Sequence, residues 1–353
     1  MYDPVSIINV LSKVARQWLD PDYGVREDAI ERSLEADNRF TEAALNFAIN
    51  QQMALLTSEA LQAWQTELGW QPNESVAVLN PGNIPFVELQ DLVAVLLSGR
   101  RYFGTVSSKS PALLPAFASD MLSLVPDLPL DLVDFEEAVG SADRVWASGS
   151  DETMDWVREQ AAEYGIEEER CWLRGHRFSV SVLNGQESSE DLVDLAEDVL
   201  LHEGLGCRNV SIIFAPESLS IDPVLEAMAT FRGMFEAHER TAGQLKMQQA
   251  LLQAVDVPHA WADGHQFLIS RGEAEVQAPG HVRWVPYTDR SQAETWISAQ
   301  ASTIQAVFSI MRELKVPCPV EHLGQAQRPS LTWAPDGRSH SSVLGHNDLS
   351  RGV

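Results

Sequence analysis

Ser75–Asn80 (SVAVLN), Pro81–Pro85 (PGNIP), Val87–Ser98 (VELQDLVAVLLS) and Tyr102–Val106 (YFGTV) follow one another closely in the chain. The first and last are short runs rich in apolar and β-branched residues, which read as strands. The second is a cluster of turn residues, and the third is a mostly apolar run of helix length. Strand, loop, helix and strand with short connections imply a parallel, doubly wound sheet. In such sheets ligands bind at the carboxyl ends of the strands.

The alternation continues on the C-terminal side. Ala112–Leu124 and Asp151–Tyr164 read as helices, and Leu132–Phe135, Arg144–Ala147 and Cys171–Leu173 as strands. On the N-terminal side the first 70 residues read as helical, with apolar spacing over Val5–Leu19, Arg26–Ala36 and Thr41–Leu68. A second αβ block runs from Phe178 to about Leu314. Its expected strands are Phe178–Leu183, Val210–Phe214, Gln266–Ser270 and Val282–Pro286. Its expected helices are Ser189–Leu201, Asp222–Phe235, Glu239–Ala254 and Gln292–Leu314. The proline-rich end reads as a meandering tail, a candidate for a strand exchanged with a partner subunit.

These elements predict an α/β protein of two αβ domains, each with a parallel doubly wound sheet, preceded by N-terminal helices. Residues 1–177 would hold the helices and a cofactor-binding domain, 178–320 a catalytic domain, and 321–353 a tail or oligomerisation arm.

The bulk numbers narrow the function classes. At 353 residues, with 44% apolar and 22% charged residues, the chain is long enough for two cores. The net charge is −26, and only four residues are lysine: Lys13, Lys109, Lys246 and Lys315. Such a surface repels nucleic acid and anionic membranes and suits a cytoplasm of very high salt. No apolar run reaches membrane-spanning length, and Met1–Pro4 does not open a signal peptide, so a cytoplasmic location is expected. Cys171, Cys207 and Cys318 lack metal-ligand spacing, and an odd count argues against a disulfide framework. No metal site is expected.

Four turns carry chemistry. The first is Gly204-Leu205-Gly206-Cys207-Arg208-Asn209-Val210. The helix before it aligns Leu192, Leu195, Ala196 and Val199, with Ser188 and Asp191 as a capping pair and Gly204 as its stop. A strand follows. A glycine-flanked turn there can expose the Cys207 thiol and aim backbone N–H groups at a reacting carbonyl. An ordinary αβ turn with a small buried thiol has the same letters. In the second turn, Asn83 stands at a strand's carboxyl end, where its amide can donate to an oxyanion; a plain turn is the alternative. In the third, Ser107, Ser108 and Lys109 can hold phosphate or ribose hydroxyls, or the serines can cap a helix. In the fourth, Gly149 and Ser150 open a helix, where the backbone can meet phosphate, or again simply cap it. The G-x-G-x-x-G fingerprint is absent, which disfavours an ordinary Rossmann dehydrogenase.

Together these residues resemble the aldehyde dehydrogenase superfamily, and within it the LuxC-like acyl-CoA reductases, over roughly residues 75 to 340. The resemblance implies that Cys207 is the nucleophile, that Asn83 supplies the oxyanion-hole amide, and that Ser107, Ser108, Lys109, Gly149 and Ser150 meet the nicotinamide cofactor. Trp333–Gly337 looks like the family's end. Three departures stand out. Thr105 occupies the position of the ribose-binding lysine of many aldehyde dehydrogenases. Leu173–Arg177 replaces their Glu-Leu-Gly-Gly-Lys motif and offers no carboxylate to activate water. The chain is also short, which implies a trimmed oligomerisation region.

The resemblance implies reduction of a long-chain fatty acyl-CoA to its aldehyde with NADPH, in a cleft between the two blocks. Arg208 is the candidate for lowering the thiol pKa. The expected partners are acyl-CoA, an acyl-protein synthetase or acyl carrier, and a second subunit. An NAD-linked aldehyde dehydrogenase, a cysteine acyltransferase and a non-catalytic scaffold for an acyl-protein partner remain as alternatives.

Overall fold

The structure is a computed structural model that describes residues 3–345. It divides into two compact units. The first comprises Met1–Asn38, Leu45–His176 and Ser330–Val353; the second comprises Arg39–Ala44 and Arg177–Pro329.

The first unit opens with helices α1 (Pro4–Trp18), α2 (Gly24–Leu34), α3 (Glu42–Leu55) and α4 (Ser58–Leu68). Asp3 caps α1 by accepting from the Ser6 N–H at 2.7 Å, with Pro4 in the first turn. At the other end of α1, Trp18 is fully buried and packs edge-to-face on Phe86 and Phe117. The expected single helix Thr41–Leu68 is two. Thr57 breaks it by accepting from the Ala60 N–H at 3.2 Å, a side-chain cap that starts α4.

Then come β1 (Ser75–Leu79), α5 (Leu89–Leu97), β2 (Arg101–Gly104), α6 (Leu113–Leu124), β3 (Leu130–Leu132), α7 (Phe135–Gly140), β4 (Arg144–Ser148), α8 (Asp151–Glu163) and β5 (Cys171–Arg174). The sheet order is β3-β2-β1-β4-β5, and every pairing is parallel. β1 is the central strand, with Val76, Ala77 and Val78 fully buried. Helix α5 is apolar almost all round because it is buried all round: Leu92 to Leu97 have no exposure. The strand expected over Leu132–Phe135 lies earlier. Asp134 caps α7 by accepting from the Glu137 N–H at 2.9 Å and pulls Phe135 into that helix.

The second unit holds β6 (Phe178–Val182), α9 (Ser189–Leu200), β7 (Val210–Pro216), α10 (Asp222–Arg232), α11 (Glu239–Ala254), β8 (His259–Trp261), β9 (Leu268–Arg271), β10 (His281–Tyr287), α12 (Arg290–Ala299), β11 (Ile304–Phe308) and β12 (Val320–Glu321). Their order in the sheet is β12-β11-β6-β7-β10-β9-β8. The sheet is parallel except at one edge, where β8 runs antiparallel to β9, so the expectation of an all-parallel sheet is corrected there.

The helix expected over Gln292–Leu314 is also corrected. Asp289 and Gln292 form a capping box that starts α12, but the helix stops at Ala299. Ile304–Phe308 is instead a wholly buried strand paired with β6. A short apolar run such as IQAVF fits a buried helix or a buried strand equally well by periodicity.

The tail is partly absorbed by the chain itself. Val320 pairs with Val307 of β11, and helix α13 (His340–Val343) belongs to the first unit. Residues 346–353 of the expected arm lie outside the described residues. Among the described residues, no helix is long and apolar enough to cross a membrane.

Candidate functional site

Cys207 sits in the turn between α9 and β7, and its side chain is half-buried. The flanking helix and strand are present, but α9 ends at Leu200, before Gly204. Ser188 and Asp191 form a reciprocal capping box at the start of α9. At the other end, His202, Glu203 and Gly204 take successive positive φ values of 55°, 59° and 70°. Gly204 is required on two grounds, because a Cβ there would lie 2.8 Å from the Gly280 backbone nitrogen.

Nearly every residue around the thiol is anchored. The Asn209 side chain donates to the carbonyls of Asp198, Val199 and Leu201 at 3.1, 3.2 and 2.8 Å, and so caps the end of α9. Its Oδ1 accepts from the Gly206 N–H at 2.9 Å, and its N–H closes the turn onto the Gly206 carbonyl at 3.0 Å. The Ser179 hydroxyl donates to the Cys207 carbonyl at 3.0 Å. The result is a hydrogen-bonded turn that carries the half-buried Cys207.

Arg208, the candidate for lowering the thiol pKa, is tied into the structure by other partners. Its buried guanidinium forms a two-pronged pair with Glu321 at 2.9 and 2.8 Å and donates to the carbonyls of Ala326 and Gln325. A cation held by a carboxylate and two carbonyls is a structural tie. Asp198 ties the same segment from the other side, accepting from the N–H groups of Gly324 and Ala326 at 2.8 and 2.9 Å. Burial raises the Asp198 pKa well above the usual carboxylate range, against the pull of those two N–H groups. No sequence signal pointed to this clamp, because its members lie more than a hundred residues apart.

The other three turns follow strands of the first unit. From β1 the chain runs outward through β2 to β3, then crosses back to β4 on the other side of β1. The ends of β1 and β4 therefore form a topological switch point, where ligands of such sheets bind. After β1, Asn80 donates to the Tyr102 hydroxyl and the Thr105 carbonyl, each at 2.8 Å, which ties the β1 and β2 ends together. Gly82 then packs directly on Ser107, and any side chain at Gly82 would collide with that hydroxyl. Asn83 follows, half-buried. The Asn83 loop and the Ser107 loop are thus neighbours.

Helix capping does not account for the serines of the second loop. α6 begins after Ala112 with no side-chain cap, while Ser107 accepts from the Lys109 N–H at 3.3 Å. The Ser110 hydroxyl is buried without a hydrogen-bond partner. Ser108 and Lys109 are exposed. Ser150 does cap, accepting from the Thr153 N–H at 3.2 Å at the start of α8. The Gly149 N–H donates to the Arg174 carbonyl at 3.1 Å, and the Asp151 carboxylate accepts from the His176 N–H at 2.9 Å. The β4 and β5 ends are therefore joined, so Leu173–Arg177 braces the Gly149 loop.

Beneath these loops lies a buried charged cluster that the sequence did not reveal. Asp91 forms a two-pronged pair with Arg174 and accepts from His340 Nε2 at 2.8 Å. Burial alone would raise the Asp91 pKa, but the Arg174 charge and the His340 hydrogen bond hold it well below the usual range. Glu88, fully buried beside them, goes the other way. Burial, helped by the Asp91 charge, pushes it up to about 8. Among the described residues, no cluster of three or more His, Cys, Asp or Glu could hold a metal ion.

Residues 65–231, which include all four turns, match the family model for acyl-CoA reductase (LuxC). This segment is LuxC-like. No curated relative matches the chain in sequence. Solved structures share the fold of this chain. A methylmalonate-semialdehyde dehydrogenase from Oceanimonas doudoroffii superposes with a TM-score of 0.74 at 12% identity, over 97% of this chain and 83% of that one. An indole-3-acetaldehyde dehydrogenase in complex with NAD+ gives 0.73 at 15% identity, over 96% and 80%. A salicylaldehyde dehydrogenase from Pseudomonas putida gives 0.71 at 13% identity, over 96% and 81%. The aldehyde dehydrogenase type of fold expected from the sequence is thus present, and the match over residues 65–231 supports an oxidoreductase acting on acyl or aldehyde groups.

Proposed function

We propose that this protein reduces a long-chain fatty acyl-CoA to the aldehyde with NADPH, through an acyl thioester on Cys207. The observation that carries the reading is the Cys207 turn. There the half-buried Cys207 sits in a turn whose neighbours are hydrogen-bonded in place, and the turn lies inside the LuxC match.

The residues at the β1 and β4 ends are a fair match to a dinucleotide. The switch point, the exposed Lys109 and Ser108, the unpartnered Ser110 hydroxyl and the α8 N-terminus are all of one unit. Ser107, Ser108 and Lys109 would take the ribose and its phosphate, and Gly149 and Ser150 the pyrophosphate or nicotinamide side. When bound, the cofactor supplies hydride.

The chain's own residues do the rest. The Cys207 thiolate adds to the thioester carbonyl carbon. The Cys207 N–H stabilises the oxyanion, and the resemblance assigns the Asn83 amide as the second donor, each such donor being worth roughly 3 kcal/mol. The carbon–sulfur bond to CoA breaks, CoA leaves with the electron pair as its thiolate, and the acyl group stays on Cys207. After reduction the same two donors hold the thiohemiacetal oxygen. The carbon–Sγ bond then breaks, which frees the aldehyde and returns the Cys207 thiolate. Leu173–Arg177, which replaces the Glu-Leu-Gly-Gly-Lys motif, offers no carboxylate to activate water. The acyl-enzyme should therefore wait for hydride instead of hydrolysing.

Intact-protein mass spectrometry tests this. Acyl-CoA alone should leave one stable acyl group on the wild type and none on Cys207→Ala, while Cys171→Ala and Cys318→Ala label normally. NADPH should then release aldehyde. Asn83→Ala should acylate about 10²-fold more slowly. Label on another cysteine, or free fatty acid as the main product, would overturn the reading.

A further inference from the structure

His202, Glu203 and Gly204, which lead into the Cys207 turn, form a run of three left-handed residues, with φ of 55°, 59° and 70°. Elsewhere among the described residues such conformations come singly or in pairs. Glycine takes this backbone freely, whereas the Cβ of histidine or glutamate crowds a carbonyl oxygen in it. A strained run persists only where its surroundings enforce it, and enforced strain gathers at reacting sites.

Gly204 is enforced by its close approach to Gly280. Glu203 is enforced by a buried network that reaches α10 and the start of α11. Its carboxylate accepts from Arg232 Nη1 at 3.0 Å and from the His238 N–H at 3.2 Å, so both oxygens are engaged. Arg232 is held in place in its turn. Its Nε donates to the Gln266 carbonyl at 2.9 Å, and its Nη1 also donates to the Phe235 carbonyl at 3.1 Å. The Gln266 side chain then accepts from the Ala237 N–H at 2.7 Å. If Glu203 relaxed out of the left-handed region, its carboxylate would swing away and leave the Arg232 charge buried without an anion. That loss exceeds the strain it would relieve. All of these residues belong to the second unit. Cys207 lies four residues beyond Glu203, and the Asn209 bond to the Gly206 N–H closes the turn from the other side.

We propose that Glu203 and Arg232 are a positioning pair for the reaction at Cys207. They hold the left-handed run, and through the backbone they set where the Cys207 Sγ and N–H stand against the thioester carbonyl. The inference rests on the reading of Cys207 as the acylated nucleophile. A misplacement of about 1 Å at such a centre costs on the order of 10²-fold in rate.

The double variant Glu203→Leu/Arg232→Met, made in the full chain, tests the pair. Apolar residues of similar volume replace a buried ion pair with little or no loss of stability, so the melting temperature should hold. Acylation at saturating palmitoyl-CoA, followed by quenched intact-protein mass spectrometry, should slow about 10²-fold. Alkylation of Cys207 by iodoacetamide needs only an accessible thiolate and should stay within about threefold of wild type. Glu203→Gln keeps the volume but only one acceptor oxygen, and should slow acylation roughly tenfold. It keeps the test decisive should the double variant not fold. A folded variant that acylates as fast as wild type overturns the proposal. So does alkylation that rises steeply as acylation falls, because the pair would then keep the turn folded instead of aligning it. A wild type that takes up no acyl group sinks the reductase reading, and this inference with it.

Discussion

Glu88 and Lys109 show how differently single residues declare themselves. Nothing in VELQDLVAVLLS marks Glu88 as the acid that burial would keep protonated; in sequence it is one polar letter at a helix start. Folded, it holds its proton up to about pH 8, whereas an unfolded glutamate releases it near 4.5. The native state therefore binds one more proton between these values, and stability falls as pH rises through that window, by up to about 1.4 kcal/mol per pH unit. Glu88→Gln should flatten this slope and leave the variant more stable than wild type above pH 8; urea titrations at pH 5, 7 and 9 measure it. Lys109 was visible at once, as one of four lysines, and the structure leaves it exposed in the loop after β2. If it meets a ribose 2′-phosphate, Lys109→Glu should reduce the NADPH-over-NADH preference in kcat/KM by about tenfold or more. Unchanged discrimination would limit Lys109 to the loop's structure.

The Cys207 turn and the switch-point loops show what an element reveals before folding. Helix α9 ends at Leu200 and not at Gly204, but its capping box and the β-branched run of β7 are local signals, and both were legible. So was the βαβ alternation that sets the first sheet. Legibility stopped where partners are distant. The clamp of Arg208 on Glu321, the bonds of Asp198 to Gly324 and Ala326, and the Asp91–Arg174–His340 cluster join residues that no spacing rule connects. β11 was missed for another reason, because buried helix and buried strand share one apolar pattern. Asn209 is the test of the turn. Its amide satisfies three carbonyls at the end of α9, and Asn209→Ala leaves them buried without a donor. We expect a loss of about 2–4 kcal/mol in stability, with acylation of Cys207 slowed even at temperatures where the variant is folded. Chemical denaturation and the acylation rate together separate the two effects.

Over the whole molecule the dominant quantity is charge. At −26, carboxylate repulsion opposes compaction in dilute buffer, and its range shrinks to ~3 Å near 1 M salt. Melting temperature and activity should both rise from about 0.05 M to molar KCl; calorimetry that showed a flat or falling melting curve would remove the high-salt reading. The path of the chain has a consequence for synthesis. The first unit is built from stretches on both sides of the second. His340 inserts among Trp64, Trp146 and Trp172 to reach Asp91, and Arg100 donates to the Leu344 carbonyl at 3.1 Å. On the ribosome, the early sheet therefore emerges long before the histidine that completes it. For the time needed to translate the intervening stretch, an Asp91–Arg174 pair without its third member and a cage of three tryptophans without its plug stand open to the cell. The second unit, whose stretch Arg177–Pro329 is translated first, can close ahead of it, which makes the nascent first unit a natural client for a chaperone.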